Sequence, residues 1–440
     1  MPKRIVVIGG GLAGSAAAHV LVERGYAVTI IEQRDYIGGR IHSELVDGAA
    51  VEMGAGFLTK SYTNLLGFMA ANGLDRRLYR QHGSSAIFRD GDVRVVSPSA
   101  LAGNRLLSWA AKAHALPLLF KTFASWHNLD VHAFWKAEPY NNQSVANIFS
   151  SQSGKEFLEY ALQPMLNGYF YWTPEHTSEA MLRILCKAAF SHGTYKMKGG
   201  LQRIPEKAAE GSEVLLGHTV TRIERTPASY TITAVHRGKE QTIRADGIIC
   251  ATTATAVSTI FSDLTEQQKK FFEAVQYSSG ALIAQTYPQG QTRGDKAIAF
   301  PRIEGNELSA ITLSPEPGAG NATYATVKTY ASGAVAAKLG SLPDHKLQNS
   351  LMTAMKPVRN SVLIDNPRPV ATHIQRWQEA LPFFDVGHFG RLRQFHDGKI
   401  EDQDQPIAFA GDYIGGPFME GAFTSGLHAA ERLDARLRNK

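Results

Sequence analysis

Three features of the sequence predict an α/β fold built around a nucleotide-binding β-α-β unit. Residues 5 to 40, IVVIGGGLAGSAAAHVLVERGYAVTIIEQRDYIGGR, carry an apolar run into Gly9-x-Gly11-x-x-Gly14, then an alanine-rich helical pattern, then a second apolar run, Ala27 to Ile31, that stops at Glu32. Residues 212 to 262 alternate short apolar runs with charged and turn residues and close on the uncharged run Gly247 to Ala251. The C-terminal IAFAGDYIGGPFMEGAFTSGLHAAERLDARL takes an apolar strand to Ala410-Gly411-Asp412, and Glu420-Gly421-Ala422 then opens a helical pattern.

In the first unit, Gly9, Gly11 and Gly14 let backbone approach a pyrophosphate, and the helix that starts at Leu12 and Ala13 offers its positive end to the phosphate charge. Glu32, at the end of the second strand, is placed to receive ribose hydroxyls. The ligand this order implies is an adenine dinucleotide. Gly38-Gly39-Arg40 follows, and a simple NAD fingerprint lacks it. Glycines followed by arginine offer amides and a guanidinium fork to a second face of the same diphosphate.

On these residues the sequence resembles the flavin amine oxidase superfamily, which includes monoamine and polyamine oxidases, protoporphyrinogen oxidases and carotenoid desaturases. The resemblance implies FAD, with Gly54, Ala55 and Gly56 among its contacts and Val220, in the Val220-x-x-Ile223 stretch, supplying backbone contacts to the adenine. The AGDY…MEGAFTSG pattern resembles the C-terminal FAD motif of the superfamily, which assigns Asp412, beside Gly411, to the ribityl-phosphate chain. A helix beginning at Glu420, Gly421 and Ala422 would point its positive end at the flavin edge that gains charge on reduction. No cysteine lies between Gly411 and Gly426, so the FAD is expected to be non-covalent.

The expected layout is a Rossmann-like FAD-binding domain assembled from residues 1–60, 206–262 and 369–440. An inserted α+β substrate-binding domain takes residues 61–205, which are mostly helical in pattern, and 263–368. The 314–322 stretch, SPEPGAGNA, reads as a loop.

At 440 residues and 44% hydrophobic, the chain can bury large cores. The formal charge is +6 and the pI about 9.1, but basic and acidic residues are interspersed without a basic run. That pattern speaks against nucleic acid and allows a weak attraction to anionic lipids or an acidic substrate. Cys186 and Cys250 sit in apolar segments and read as buried free thiols; no metal-ligand spacing exists, and no metal is expected. The first strand starts within five residues of Met1, so a cytoplasmic location is expected, with peripheral membrane contact as an option. The option comes from residues 106 to 126, where an apolar face could meet lipid or close as a lid over the active site. Lys112, His114, Pro117 and Lys121 interrupt it too often for a membrane span.

For the chemistry, the resemblance points first to the flavin itself, whose N5 accepts hydride, and no side chain is assigned as catalytic. Amine oxidases of the superfamily place a lysine on a strand resembling residues 276–288, whereas this chain has Ala281 to Ala284 there, with Lys270 and Lys296 the nearest lysines. RWQEALPFFDVGH, 376 to 388, resembles a passage of protoporphyrinogen oxidases and phytoene desaturases. Trp377 and Phe418 match cavity positions in relatives and are the substrate-cavity candidates. Of Tyr169-Phe170-Tyr171-Trp172 about half can face one cavity, and His176, His192 and His388 are further acid-base candidates. Gly199 and Gly200 mark either a tight turn or a close approach to the cavity. The expected activity is FAD-dependent removal of hydride from a small, largely apolar or cyclic substrate, by an oxidase, dehydrogenase or desaturase. An amine or amino-acid oxidase and a redox-neutral isomerase stand as alternatives, and oligomeric state is left open.

Overall fold

The computed structural model describes residues 2–97, 103, 106–190, 193–226, 229–320 and 322–438; His192 lies outside them. Five parallel strands form one sheet, in the order Glu213–Leu215, Ala27–Ile31, Arg4–Ile8, Gly247–Cys250 and Ile407–Phe409. Their near-continuous apolar runs suit strands covered on both faces. On one face Ile5, Val7, Ile249 and Ala408 pack against Ala17, Leu21 and Leu433 of two helices. On the other, Val6, Ile8, Ile248 and Phe409 meet Ile232 and Phe272. Ile232 belongs to a three-stranded antiparallel sheet, Thr219–Arg225, Tyr230–His236 and Lys239–Ala245.

The two covering helices, Leu12–Glu23 and Met419–Arg438, cross closely because Gly426 stands at their contact. A Cβ there would lie 2.1 Å from the Ala13 carbonyl oxygen. Gly14 works inside the first turn in the same way, since its Cβ would sit 1.9 Å from the carbonyl oxygen of Gly9.

A second sheet of seven strands runs in the order Ala371–Trp377, Gly280–Pro288, Thr323–Ser332, Ala310–Pro317, Lys296–Ala299, Ser84–Arg89 and Asp92–Val96. One face buries Ile283, Ile298, Ile311 and Val327 under helices that include Leu339, Leu347 and Leu351. The opposite face carries Lys328, Thr312 and Ser85 toward a cleft.

Two assignments from sequence need correction here. Ala371–Trp377, grouped above with the nucleotide-binding segments, is the edge strand of the second sheet, paired residue for residue with Gly280–Thr286. The 314–322 stretch, expected as a loop, is strand as far as Pro317, and the 61–205 segment, mostly helical as expected, also contributes the hairpin Ser84–Val96, which completes the far side of the same sheet. The helical remainder, with Phe134, Leu166, Trp172 and Leu182 at its centre, forms a separate core. The 106–126 segment is two helices, Trp109–Ala113 and Ala115–Ala124. Pro117 lies in the first turn of the second, where its missing N–H costs nothing, while its ring excludes a helical carbonyl at residue 113 and so ends the first. The segment does not line the main cleft, so the lid expectation is not met.

Candidate active site

Between the two sheets runs a cleft of about 890 Å³. At one end the first strand delivers the chain into Gly9, whose φ of +98° and close approach to Ala251 demand glycine. The Leu12–Glu23 helix starts at Gly11 with no side-chain cap, leaving its first amides open to an anion. Glu32 lines the same end and fixes the loop: its carboxylate accepts from the Gly10 amide at 2.7 Å and the Arg34 amide at 2.9 Å. Val220 lies beside a β-bulge and reaches the cleft together with His218, Thr252 and Ile260.

The Gly38–Arg40 turn folds over this end. The Gly38 amide donates to the Gly10 carbonyl at 2.9 Å, and a Cβ on Gly39 would come within 3.1 Å of the Gly11 Cα. Arg40 donates to Asp412 Oδ1 at 2.8 Å and to the Ala380 carbonyl at 2.9 Å, joining both ends of the chain across the cleft. Burial works against the Arg40 charge, but Asp412 and Tyr277 more than offset it and hold its pKa above the ordinary arginine value. Gly411 and Asp412 are held by the C-terminal helix, since the Gly411 amide donates to Ser425 Oγ at 2.9 Å. Gly54, Ala55 and Gly56 run alongside, the Ala55 amide donating to the Arg40 carbonyl at 3.1 Å.

Gly9, Gly11, Leu12, Ala13, Glu32, Gly39, Arg40, the Gly54–Gly56 stretch, Val220, Gly411, Asp412 and Ala422 therefore converge on one cleft. Gly14, Glu420 and Gly421 are not in its wall. The Glu420 side chain turns away to the start of the Thr63–Ala71 helix, accepting from the amides of Asn64 at 2.8 Å and Leu65 at 3.0 Å and meeting His132 Nε2 at 2.7 Å. Gly421 is a packing glycine, because a Cβ would lie 2.4 Å from the Gly416 carbonyl oxygen.

The rest of the cleft is the wall of the second sheet and the aromatic residues facing it. Trp377 is buried, donates from Nε1 to the Met53 carbonyl at 2.9 Å, and carries the Arg34 guanidinium 5.0 Å from its ring centroid. Phe418 packs among Phe134, Phe170 and Tyr62. Tyr169, Phe170 and Tyr171 all line the cleft, one more than expected, because Tyr171 ends the Gln163–Phe170 helix in a left-handed conformation (φ +57°) and redirects its ring; Trp172 is in the helical core. His388 is buried with Nε2 on the Tyr413 carbonyl, and burial first and Arg391 second push its pKa down to about 3, so it stays neutral and outside the cleft. His176 packs on Phe383, also outside.

A model of the family described as flavin containing amine oxidoreductase matches residues 12–434. The chain belongs to that family. Among its relatives, coproporphyrinogen III oxidase of Bacillus subtilis (strain 168) is 22% identical over 95% of this chain and 94% of its own length. Polyamine oxidase 4 of Oryza sativa subsp. japonica is 34% identical over 110 residues, a match spanning 24% of this chain and 22% of that protein. The crystal structure of a putative protoporphyrinogen oxidase from Exiguobacterium sp. 255-15 superposes with a TM-score of 0.76 at 18% identity over 99% of both chains, a likeness of fold.

As a member of that family, the chain is an FAD-dependent oxidoreductase. Its cleft suits the cofactor: a glycine cradle that side chains would fill, an uncapped helix start, and the Arg40 fork beside it. The cysteines Cys186 and Cys250 do not line the cleft, and burial raises both thiol pKa values to about 11.

The sequence reading missed the charged part of the wall. Lys328 is buried and donates from Nζ to the Glu52 carbonyl at 2.9 Å; Lys196 is buried, donates to Ser314 Oγ at 2.7 Å and pairs with Glu316. Lys196, Lys328 and Asp295 line the cleft, while Lys296 at its rim turns its Nζ away to the Ser361 carbonyl at 3.0 Å. Glu52 stands behind them, accepting from Ser43 Oγ at 2.6 Å and the Leu201 amide at 2.8 Å, and burial raises its pKa to about 7 against those bonds and Lys328. The Leu201 amide is presented by the Gly199–Gly200 turn, both residues at positive φ, so the glycine pair makes a turn. The signal for Lys328 was present: in TYATVKTYAS its alternation sets it on one face with Thr326 and Tyr330.

Proposed function

We propose that the enzyme removes hydride from a small, cyclic or otherwise largely apolar substrate that also carries carboxylate or other acceptor groups, in the manner of a porphyrinogen oxidase. When bound, FAD supplies the two-electron acceptor. Gly9, Gly11, Glu32, Gly39, Arg40, Gly54, Val220, Gly411 and Asp412 would hold it, the Leu12–Glu23 helix start facing the pyrophosphate. The substrate would lie between the sheet wall and Phe418, Tyr169, Phe170 and Tyr171, whose rings flatten it and exclude water.

The observation that carries the reading is the charge of the wall. Among the described residues there, Lys196 is paired with Glu316, whereas the buried Lys328 donates to the Glu52 backbone carbonyl and has no carboxylate within ion-pair distance. Such a wall attracts an acceptor or an anion and repels an ammonium group. It therefore favours the porphyrinogen type over amine oxidation. Coproporphyrinogen, named in one relative, is a reduced cyclic molecule with carboxylate arms.

The test is anaerobic mixing of the FAD-loaded enzyme with coproporphyrinogen III and, separately, putrescine, followed by the flavin absorbance. The first is expected to bleach it and the second to leave it. Bleaching by the amine alone refutes the proposal, and a product of unchanged mass assigns an isomerase instead.

Peripheral contact with a lipid surface belongs to the same proposal. Trp109, Leu116, Phe120 and Phe123 are 64, 68, 75 and 55% exposed. Leu116, Phe120 and Phe123 share one helix face, with Leu118 and Thr122 buried behind it.

A further inference from the structure

A smaller cavity of about 260 Å³ adjoins the cleft, and Ser85, Gly168, Tyr169, Ala297 and Thr312 line both. Beyond that rim its walls are Ile87, Leu107, Ala161, Met165, Ala299 and Ala310. Strand register explains the change of character. Lys328, Thr312, Ala297 and Ser85 form one cross-strand row, and Tyr330, Ala310, Ala299 and Ile87 form the row two residues along the strands. Two-residue spacing keeps both rows on one face, roughly 7 Å apart. One row bears an ammonium and hydroxyls; past Tyr330, whose hydroxyl meets Thr312 Oγ1 at 3.4 Å, the other bears methyl groups.

The void exists because small residues meet there. Gly168 lies over Ala310, where an added Cβ would be 3.3 Å from the Ala310 Cβ, and the Gln163–Phe170 helix settles close to the sheet at that point. Ala299, an interior strand residue, keeps part of its surface uncovered. The Tyr160 hydroxyl is committed to Glu304 at 2.8 Å and offers the chamber nothing polar.

We infer that this chamber is a subsite for an apolar chain of the molecule held in the cleft, so that the ligand is amphipathic, with its acceptor group at Lys328 and its hydrocarbon arm over Ala299 and Ala310. The assignment of the head group rests on the substrate reading above; that of the tail rests on the continuity of the two cavities. From Lys328 to Ala299 is two strands across and one row along, roughly 12 Å, a span that an unbranched chain of moderate length covers.

The experiment is calorimetric titration of the FAD-loaded enzyme with straight-chain carboxylates from butanoate to dodecanoate below their micelle concentrations, and with the alkanols of equal length. Once the chain is long enough to enter the chamber, each added methylene is expected to tighten binding about fourfold. Ala299→Phe, which fills the chamber, is expected to bind butanoate as the parent does and to lose the gain with length. Affinity independent of length in both series, or an equal gain in the variant, overturns the subsite. Alkanols that gain with length while carboxylates fail to bind support the chamber and refute the anionic head group. Carboxylates that bind without a length dependence support the head group and overturn the chamber. Flavin absorbance and melting temperature report whether the variant is folded; Ala161→Leu fills the chamber from the opposite wall and is held to the same outcomes.

Discussion

Glu52 is the residue whose titration reaches both stability and binding. Its pKa of about 7 exceeds the ordinary carboxyl value of 4.5, so between those two pH values the folded chain keeps a proton that the unfolded chain has released. Stability therefore falls as pH rises through that window, by on the order of 3 kcal/mol in all. Glu52→Gln keeps an acceptor for the Leu201 amide and removes the charge, so its melting temperature is expected to exceed the parent's at pH 8 and to match it at pH 4. Ionisation of Glu52 also offsets the positive charge of neighbouring Lys328, so carboxylate ligands are expected to bind more weakly above pH 7 in the parent, with a flatter profile in the variant. Arg40 poses the opposite case, a cation whose loss strands a buried partner. Arg40→Met leaves the buried Asp412 carboxylate without its 2.8 Å ion pair to a partly exposed guanidinium, a loss of about 1–3 kcal/mol. The variant is expected to purify with little bound FAD, read from the ratio of flavin to protein absorbance; full FAD content would show that the pair does not organise the cleft.

The crossing of the first and last helices depends on Gly426 more than on any side chain at the contact. A methyl group there would stand 2.1 Å from backbone, so Gly426→Ala must separate the helices, and overpacking of this kind costs about 1–3 kcal/mol. A lower melting temperature is expected, together with weaker FAD binding because Leu12 and Ala13 line the cleft. Gly390, inside the His388–His396 helix with open space around its Cβ site, supplies the contrast: Gly390→Ala is expected to stabilise by up to about 1 kcal/mol. Elements of this kind were legible in sequence where the code is local. The run into Gly9, the alanine-rich helix and Glu32 specify a β-α-β unit by short-range pattern, and the structure forms it at those residues. Pairing between distant strands has no such pattern. Ala371–Trp377 reads equally well beside either sheet, and only the register with Gly280–Thr286 settles it. Lys196 and Lys328 come to one wall from separate segments, and Glu420 has the position of a cofactor residue but spends its carboxylate on a neighbouring helix start. Side-chain commitments of that sort follow from tertiary neighbours rather than from spacing.

Across the whole molecule, apolar surface and charge are unevenly placed. No helix among the described residues is long and apolar enough to cross a membrane, yet Trp109, Leu116, Phe120 and Phe123 stand exposed together, with Phe190 against Phe123 at 5.5 Å between ring centroids. Lys112 lies 4.3 Å from the centroid of the Trp109 ring, and the chain carries a formal charge of +6. An amphipathic face with cations beside it gains from apolar burial and from attraction to anionic headgroups. The two contributions separate by salt, because Debye screening weakens the second and leaves the first. Co-sedimentation with vesicles of phosphatidylglycerol and phosphatidylcholine is expected to pellet the enzyme at low salt and to keep a fraction bound at 0.5 M salt. Leu116→Ser with Phe120→Ser should abolish the salt-resistant fraction and leave the melting temperature unchanged, since both side chains are mostly exposed. Failure of the parent to pellet at low salt rules out the lipid contact, and binding that vanishes entirely with salt reduces it to electrostatic attraction with the aromatic ridge left dry.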